Sequence, residues 1–148
     1  RNRGEACHIY DLFTFLTGAA VRSVQASAIV PTTGYFSAAD NFVANLTFKD
    51  GSVATLTYTA LGTEEFPKES MDIFVDGKVI SLDDYRRLST CGVKQKSLVT
   101  RTSEKGQLQE LVAFASAVKG RTSWPIPLWQ QMQATRISYE IEGLLQPR

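Results

Sequence analysis

The sequence predicts an α+β domain in which an open, mainly antiparallel sheet carries its helices on one face. Two features lead to that class. The pairs Asp50-Gly51 and Asp76-Gly77 each separate two runs of strand-like alternation, and helical spacing of apolar residues takes over at both ends of the chain. At 148 residues the chain has the usual size of one domain, able to bury roughly 70% of its unfolded surface, so one core is expected.

Taken in order, Glu5 to Thr17 reads as a helix. Cys7, Ile9, Leu12, Phe13 and Leu16 recur near helical spacing, and Gly18 supplies the residue that tolerates a left-handed C-terminal cap. Val21 to Val30 is a strand that Pro31-Thr32-Thr33-Gly34 breaks. Phe42 to Phe48 alternates cleanly, with Phe42, Ala44, Leu46 and Phe48 on one face. It joins Val53 to Tyr58 through Asp50-Gly51, read as a two-residue turn with positive φ at both positions. Met71 to Val75 and Lys78 to Leu82 form the second hairpin about Asp76-Gly77, and the polar stretch Gly62 to Ser70 between the hairpins is a surface loop. Leu88 to Cys91 and Ser97 to Arg101 are short edge strands. Ser103 then caps a helix with apolar positions Leu108, Leu111, Val112, Ala115 and Val118, ending near Gly120. Pro127 occupies the first turn of a last helix that places Leu128, Met132, Ile137, Ile141 and Leu144 broadly on one face.

Composition removes several function classes. A hydrophobic content of 43% with 21% charged residues is that of a globular protein, and a formal charge of +1 gives no general field to hold a polyanion, so nucleic acid is not an expected partner. Cys7 and Cys91 have neither the number nor the spacing of a disulfide framework or zinc site, and read as reduced thiols. No apolar run approaches the length of a membrane span and the N-terminus lacks signal-peptide character, which leads to the expectation of a cytoplasmic protein. Asn45-Leu46-Thr47 matches a glycosylation sequon inside a strand pattern, where use is not expected.

Chemistry centres on His8, the only histidine. Glu5 stands three residues before it and Asp11 three after, a spacing that lines up one polar stripe on a helix. A carboxylate beside an imidazole raises its basicity and selects its tautomer, as proton transfer requires. The same spacing also suits a histidine that merely pads the helix start. Lys68, in the Phe66-Pro67-Lys68 loop, and Arg86-Arg87 are candidates to meet an anionic or hydroxylated ligand, or else are solvated charges. The aromatic residues, Tyr58 among them, read as sheet and core packing. No GxGxxG, GxxxxGK[ST] or GxSxG pattern is present, so the chain itself offers no dinucleotide-binding motif and no metal cluster.

The run Gly4-Glu5-Ala6-Cys7-His8-Ile9-Tyr10-Asp11-Leu12, followed by Phe15-Leu16-Thr17-Gly18, resembles the start of the C-terminal domain in the glucose-fructose oxidoreductase, inositol dehydrogenase and MocA (Gfo/Idh/MocA) family. Asn41-Phe42, Leu46 to Ser52, the Asp76-Gly77-Lys78 hairpin and Ser123-Trp124-Pro125-Ile126-Pro127 continue the resemblance in order over nearly the whole chain. It implies a dihydrodipicolinate-reductase-like C-terminal domain spanning residues 1–148, which binds substrate and forms oligomers beside an N-terminal Rossmann domain that this chain does not contain. By the same resemblance His8 matches the histidine that assists proton transfer between a sugar or polyol hydroxyl and NAD(P). Asp11 matches an acidic residue with a supporting or substrate-side role. The family commonly has an aspartate four residues before its histidine. Here that place is Gly4, and Glu5 is the candidate to substitute. The family's lysine in a Glu-Lys-Pro motif is absent, so the chain is expected to bind no cofactor and to be inactive alone, with NAD(P) implied only for a longer parent.

Two readings from different classes follow. One is the substrate domain of an NAD(P)-dependent oxidoreductase acting on a sugar, polyol or sugar derivative. The other is a non-catalytic module whose open sheet face mediates self-association, a homodimer through the sheet being the family-based expectation. An exposed His8 favours the first, whereas a buried and fully paired ring would favour the second.

Overall fold

Antiparallel pairing organises the strands as the Asp-Gly turns require, but in two hydrogen-bonded sheets rather than one. The computed structural model describes residues 1–29, 32, 34–103 and 105–146, so the predicted break at Val30, Pro31 and Thr33 lies outside the described residues. The chain divides into two units, Arg1–Leu61 with Ile126–Arg148, and Gly62–Pro125.

In the first unit a π-type turn, Asn2–Ala6, runs directly into helix α1, Cys7–Thr17, which Gly18 closes at φ 62° as expected. The sheet has the order β1-β2-β3, with β1 Val21–Ala28, β2 Phe42–Phe48 and β3 Val53–Tyr58. The last helix of the unit, Leu128–Leu145, is called α3 below because a shorter α2 precedes it in the chain. Central β2 obeys its alternation. Phe42, Ala44, Leu46 and Phe48 are buried, while Val43 and Asn45 on the other face are exposed. The β2–β3 turn corrects the two-residue expectation. Phe48 N–H donates to Ser52 O and Gly51 N–H to Phe48 O, and only Gly51 has positive φ, giving a three-residue loop that ends on a left-handed glycine. Asp50 stays outside that region because its carboxylate accepts from the N–H and hydroxyl of Ser52.

The buried stripe of α1 is rotated from the predicted one. Ala6, Tyr10, Phe13 and Thr14 are inside, whereas Leu16 is exposed. Tyr10 and Thr14 tolerate burial because their hydroxyls are satisfied, the first by Asn2 Oδ1 at 2.8 Å and the second by Tyr10 O at 2.9 Å. A similar rotation occurs in α3. Ile137 and Ile141 are buried as expected, but with Ala134, Ser138 and Leu145, while Leu128, Met132 and Leu144 face outward. Full burial of a side chain such as Ile137 contributes roughly 1.5–3 kcal/mol. Pro127 precedes the helix as its N-cap rather than standing inside the first turn.

One amide ties three segments of this unit together. Gln133 Oε1 on α3 accepts from Val21 N–H at the start of β1, and its Nε2 donates to Thr14 Oγ1 and Ala19 O at the end of α1. Asn2 does the same at the other end, donating to Ser138 O and Glu142 Oε2 while accepting from Tyr10.

The second unit is a four-stranded meander. Strands β4 Ser70–Val75, β5 Lys78–Asp83, β6 Arg87–Cys91 and β7 Leu98–Val99 pair in that order. Asp76 and Gly77 both take positive φ, the two-residue turn predicted for this position. Helix α2, Gln107–Val118, begins later than expected. Its N-cap is Gly106 at φ 72°, a conformation that Ser103 would adopt only with strain, and no side chain caps it. The helix does end beside Gly120. Its apolar positions do not form a core. Leu108, Leu111, Val112 and Val118 are exposed, Leu108 at 69%, and no described residue of this unit is fully buried.

Candidate functional site

His8 is carried on the first turn of α1, just beyond the junction with the π-type turn, and it is exposed. Glu5, in the preceding turn, is exposed as well, and Asp11, one turn further on, is half-buried. The predicted acidic–imidazole–acidic series thus stands on one continuous helical run of the first unit, with its histidine open to solvent. Burial raises the Asp11 carboxyl above its ordinary value, which fits a supporting position better than a solvated one.

The partner of Glu5 is a residue that sequence reasoning assigned to packing. Tyr58, the last residue of β3, donates its phenol to Glu5 Oε2 at 2.5 Å. Its ring stacks on buried Phe42, its cross-strand partner, with centroids 5.5 Å apart and planes 15° from parallel. Desolvation, then the hydrogen bond and negative charge of Glu5, pushes the Tyr58 phenol up to about 12, so the proton stays on the tyrosine. The only signal in the sequence was the position of an aromatic with a polar tip at a strand end, opposite an apolar aromatic.

The strand ends around Tyr58 are pinned. Asn41, buried beside Phe42, accepts on Oδ1 from Thr59 hydroxyl at 3.0 Å and from Ala60 N–H at 2.8 Å, holding the chain just past β3. Asp40 caps its own turn through Ser37 N–H and pairs with Arg1 at 3.5 Å, and these contacts hold its carboxyl below the usual range. The charge of Arg1 also acts on Tyr58, in the direction opposite to Glu5. The result is a polar patch of Glu5, Tyr58, Arg1 and Asp40 beside the buried Phe42 and Asn41, with exposed His8 three residues on from Glu5 along the helical run. It offers hydrogen-bonding groups of the kind that recognise hydroxyls.

Lys68 belongs to the other unit. It lies exposed in the loop ahead of β4, in the second unit. Arg86 pairs with Asp84 at 3.4 Å, which accounts for it as a local turn contact. Asn45 of the sequon accepts from Thr55 hydroxyl within the sheet. Among the described residues no three His, Cys, Asp or Glu side chains gather in a way that would hold a metal ion, and no helix is long and apolar enough to cross a membrane.

Comparison with known proteins bears on this geometry. No curated protein sequence matches the chain. Among solved structures it is similar to the UDP-N-acetylglucosamine 3-dehydrogenase GnnA from Acidithiobacillus ferrooxidans, at 23% identity and a TM-score of 0.75 over 95% of this chain and 46% of that one. A probable dehydrogenase from Thermotoga maritima follows at 19% identity and a TM-score of 0.72, over 95% and 45%. The WlbA dehydrogenase from Bordetella pertussis, solved in complex with NADH and UDP-GlcNAcA, is more distant at 16% and 0.58, over 95% and 41%. The chain therefore spans less than half the length of these proteins. Residues 5–79 match the model of the GFO/IDH/MocA C-terminal domain, a stretch that carries the Glu5–His8–Asp11 helix and the first predicted hairpin, and the chain belongs to that family.

Proposed function

We propose that this chain is the substrate-binding and assembly domain of an NAD(P)-dependent oxidoreductase acting on a sugar, polyol or sugar derivative, with His8 as its acid/base group. The observation that carries this reading is the exposure of His8 on the helical run that also presents Glu5 and Asp11, within a domain of the Gfo/Idh/MocA family. The neighbouring hydroxyl-recognising patch, and the sugar-nucleotide dehydrogenases among similar structures, support the substrate class.

In this reading the substrate presents a hydroxyl to His8, whose neutral imidazole takes the hydroxyl proton as that carbon is oxidised and returns it in the reverse direction. Glu5 orients the ring side of the site and balances the imidazolium, while Asp11 supports it from the next turn. The sequence carries no GxGxxG motif, and in this reading the cofactor and its site belong to a separate domain of a longer protein, so that this chain by itself turns nothing over. The test is His8→Ala in a protein that joins this domain to such a nucleotide domain. Loss of a general acid/base group lowers kcat by roughly 10²- to 10⁴-fold with a small change in KM. Unchanged turnover would remove His8 from the mechanism.

A second reading, self-association, has its own support in the second unit. The strand register places Met71, Leu82, Leu88 and Leu98 on one face with Ile73 and Ile80, and none of them is fully buried. An apolar sheet face of this kind is suited to a homodimer. Sedimentation equilibrium on the chain and on Leu88→Lys tests it. A dimer that the substitution dissociates supports the reading, and a monomer at all concentrations overturns it.

A further inference from the structure

We propose that Tyr58 is the positioning residue of the acid/base site, acting through Glu5. The inference rests on the role assigned to His8 above and adds a residue that no motif carries. Glu5 sits in an exposed turn, and Tyr58 restricts the rotamers of its carboxylate. Its phenol donates to Oε2 at 2.5 Å across 53 residues of sequence, and the phenol is itself immobilised from below. Phe42 stacks against the ring at 5.5 Å, and Asn41 clamps Thr59 and Ala60 immediately after it. One carboxylate oxygen is thereby committed to β3, and the orientation of the other, one turn before His8, follows from it. The charge of Arg1 acts on Tyr58 against that of Glu5, and Arg1 in turn pairs with Asp40, from the turn before β2, at 3.5 Å.

The experiment is a kinetic comparison of Tyr58→Phe, Glu5→Gln, the double variant and His8→Ala in the protein carrying a nucleotide domain. Tyr58→Phe keeps the ring and its stacking and deletes only the donor. Loss of a hydrogen bond to a charged group is expected to lower kcat roughly 10- to 100-fold with KM held, and the double variant should be no slower than Glu5→Gln alone. A merely structural tyrosine would leave kcat unchanged, and one acting independently of Glu5 would give multiplicative losses; either result overturns the proposal. If His8→Ala retains activity, the acid/base reading fails first, so the two failures are distinguishable. A second measurement needs only this chain. In a tyrosine-selective NMR titration the Tyr58 phenol should ionise well above an ordinary tyrosine and fall back in Glu5→Gln, whereas an unmoved titration would show that the contact does not hold in solution.

Discussion

Replacing Asn2 by alanine should cost far more than its place beside the chain start suggests. The side chain is completely buried, and its amide makes three hydrogen bonds: to Ser138 O at 2.8 Å, to Glu142 Oε2 at 3.0 Å, and from Tyr10 hydroxyl at 2.8 Å. The two neutral bonds contribute about 0.5–1.5 kcal/mol each and the one to a carboxylate somewhat more. Deletion also strands the Tyr10 hydroxyl, which has no access to water. The expected loss is about 3–5 kcal/mol, a large share of the 5–15 kcal/mol typical of a domain. Urea unfolding followed by far-ultraviolet circular dichroism would register it as a midpoint lowered by roughly 2 M. Adding Tyr10→Phe to the Asn2→Ala background removes the stranded hydroxyl and should recover about 1 kcal/mol. A loss below about 1 kcal/mol for Asn2→Ala, or no recovery in the double variant, would refute the view that this amide joins the chain start to α3.

Two further outcomes are expected. Gly92→Ala should destabilise the chain more than Gly120→Ala in the same urea assay. Both residues have positive φ, but a Cβ at Gly92 would stand 2.7 Å from the backbone carbonyl of Gly77, whereas at Gly120 it meets open space. Equal losses would contradict that contact. Stability should also fall in strong alkali because of Tyr58. Its folded value is raised from 10.0 to about 12, so the protonated phenol is favoured in the native state. The stabilisation is full below pH 10 and is lost as pH rises towards 12. Buried Tyr10 is raised in the same direction, chiefly by desolvation, so Tyr58→Phe should flatten the alkaline decline in urea midpoint without abolishing it. An unaltered decline in that variant would assign the effect elsewhere.

Local rules carried the legible part of the fold. The alternation of Phe42, Ala44, Leu46 and Phe48 predicted the buried face of β2 because a half-buried strand has period two whatever lies across from it. Asp76-Gly77 gave its turn for a similar reason, since both residues tolerate positive φ. Asp50-Gly51 carries the same dipeptide yet forms a longer loop, because Ser52 captures the aspartate side chain. Helical periodicity was less informative. It showed that α1 and α3 have apolar stripes, but Tyr10, Thr14 and Ser138 went inside through hydrogen bonds that no spacing rule registers. In α2 a stripe was present, and the described structure buries none of it. At the candidate site, the placement of Glu5, His8 and Asp11 on one helical run was readable because they are close in sequence. The Tyr58–Glu5 hydrogen bond was not, since it spans most of the first unit.

The first unit is assembled from both ends of the chain, and this bears on how the protein is made. Everything from Gly62 to Pro125 leaves the ribosome before α3 does, and at about 5–20 residues per second the wait is on the order of ten seconds. Until then α1 and β1 lack the helix they pack against, and Gln133 has not yet joined α1 to β1. While residues 62–125 are being made the nascent chain thus carries an unfinished apolar surface, a window in which chaperone binding or misassociation competes with completion. Loss of α3 would leave every residue of the candidate site translated but would strip α1 of the helix it packs against.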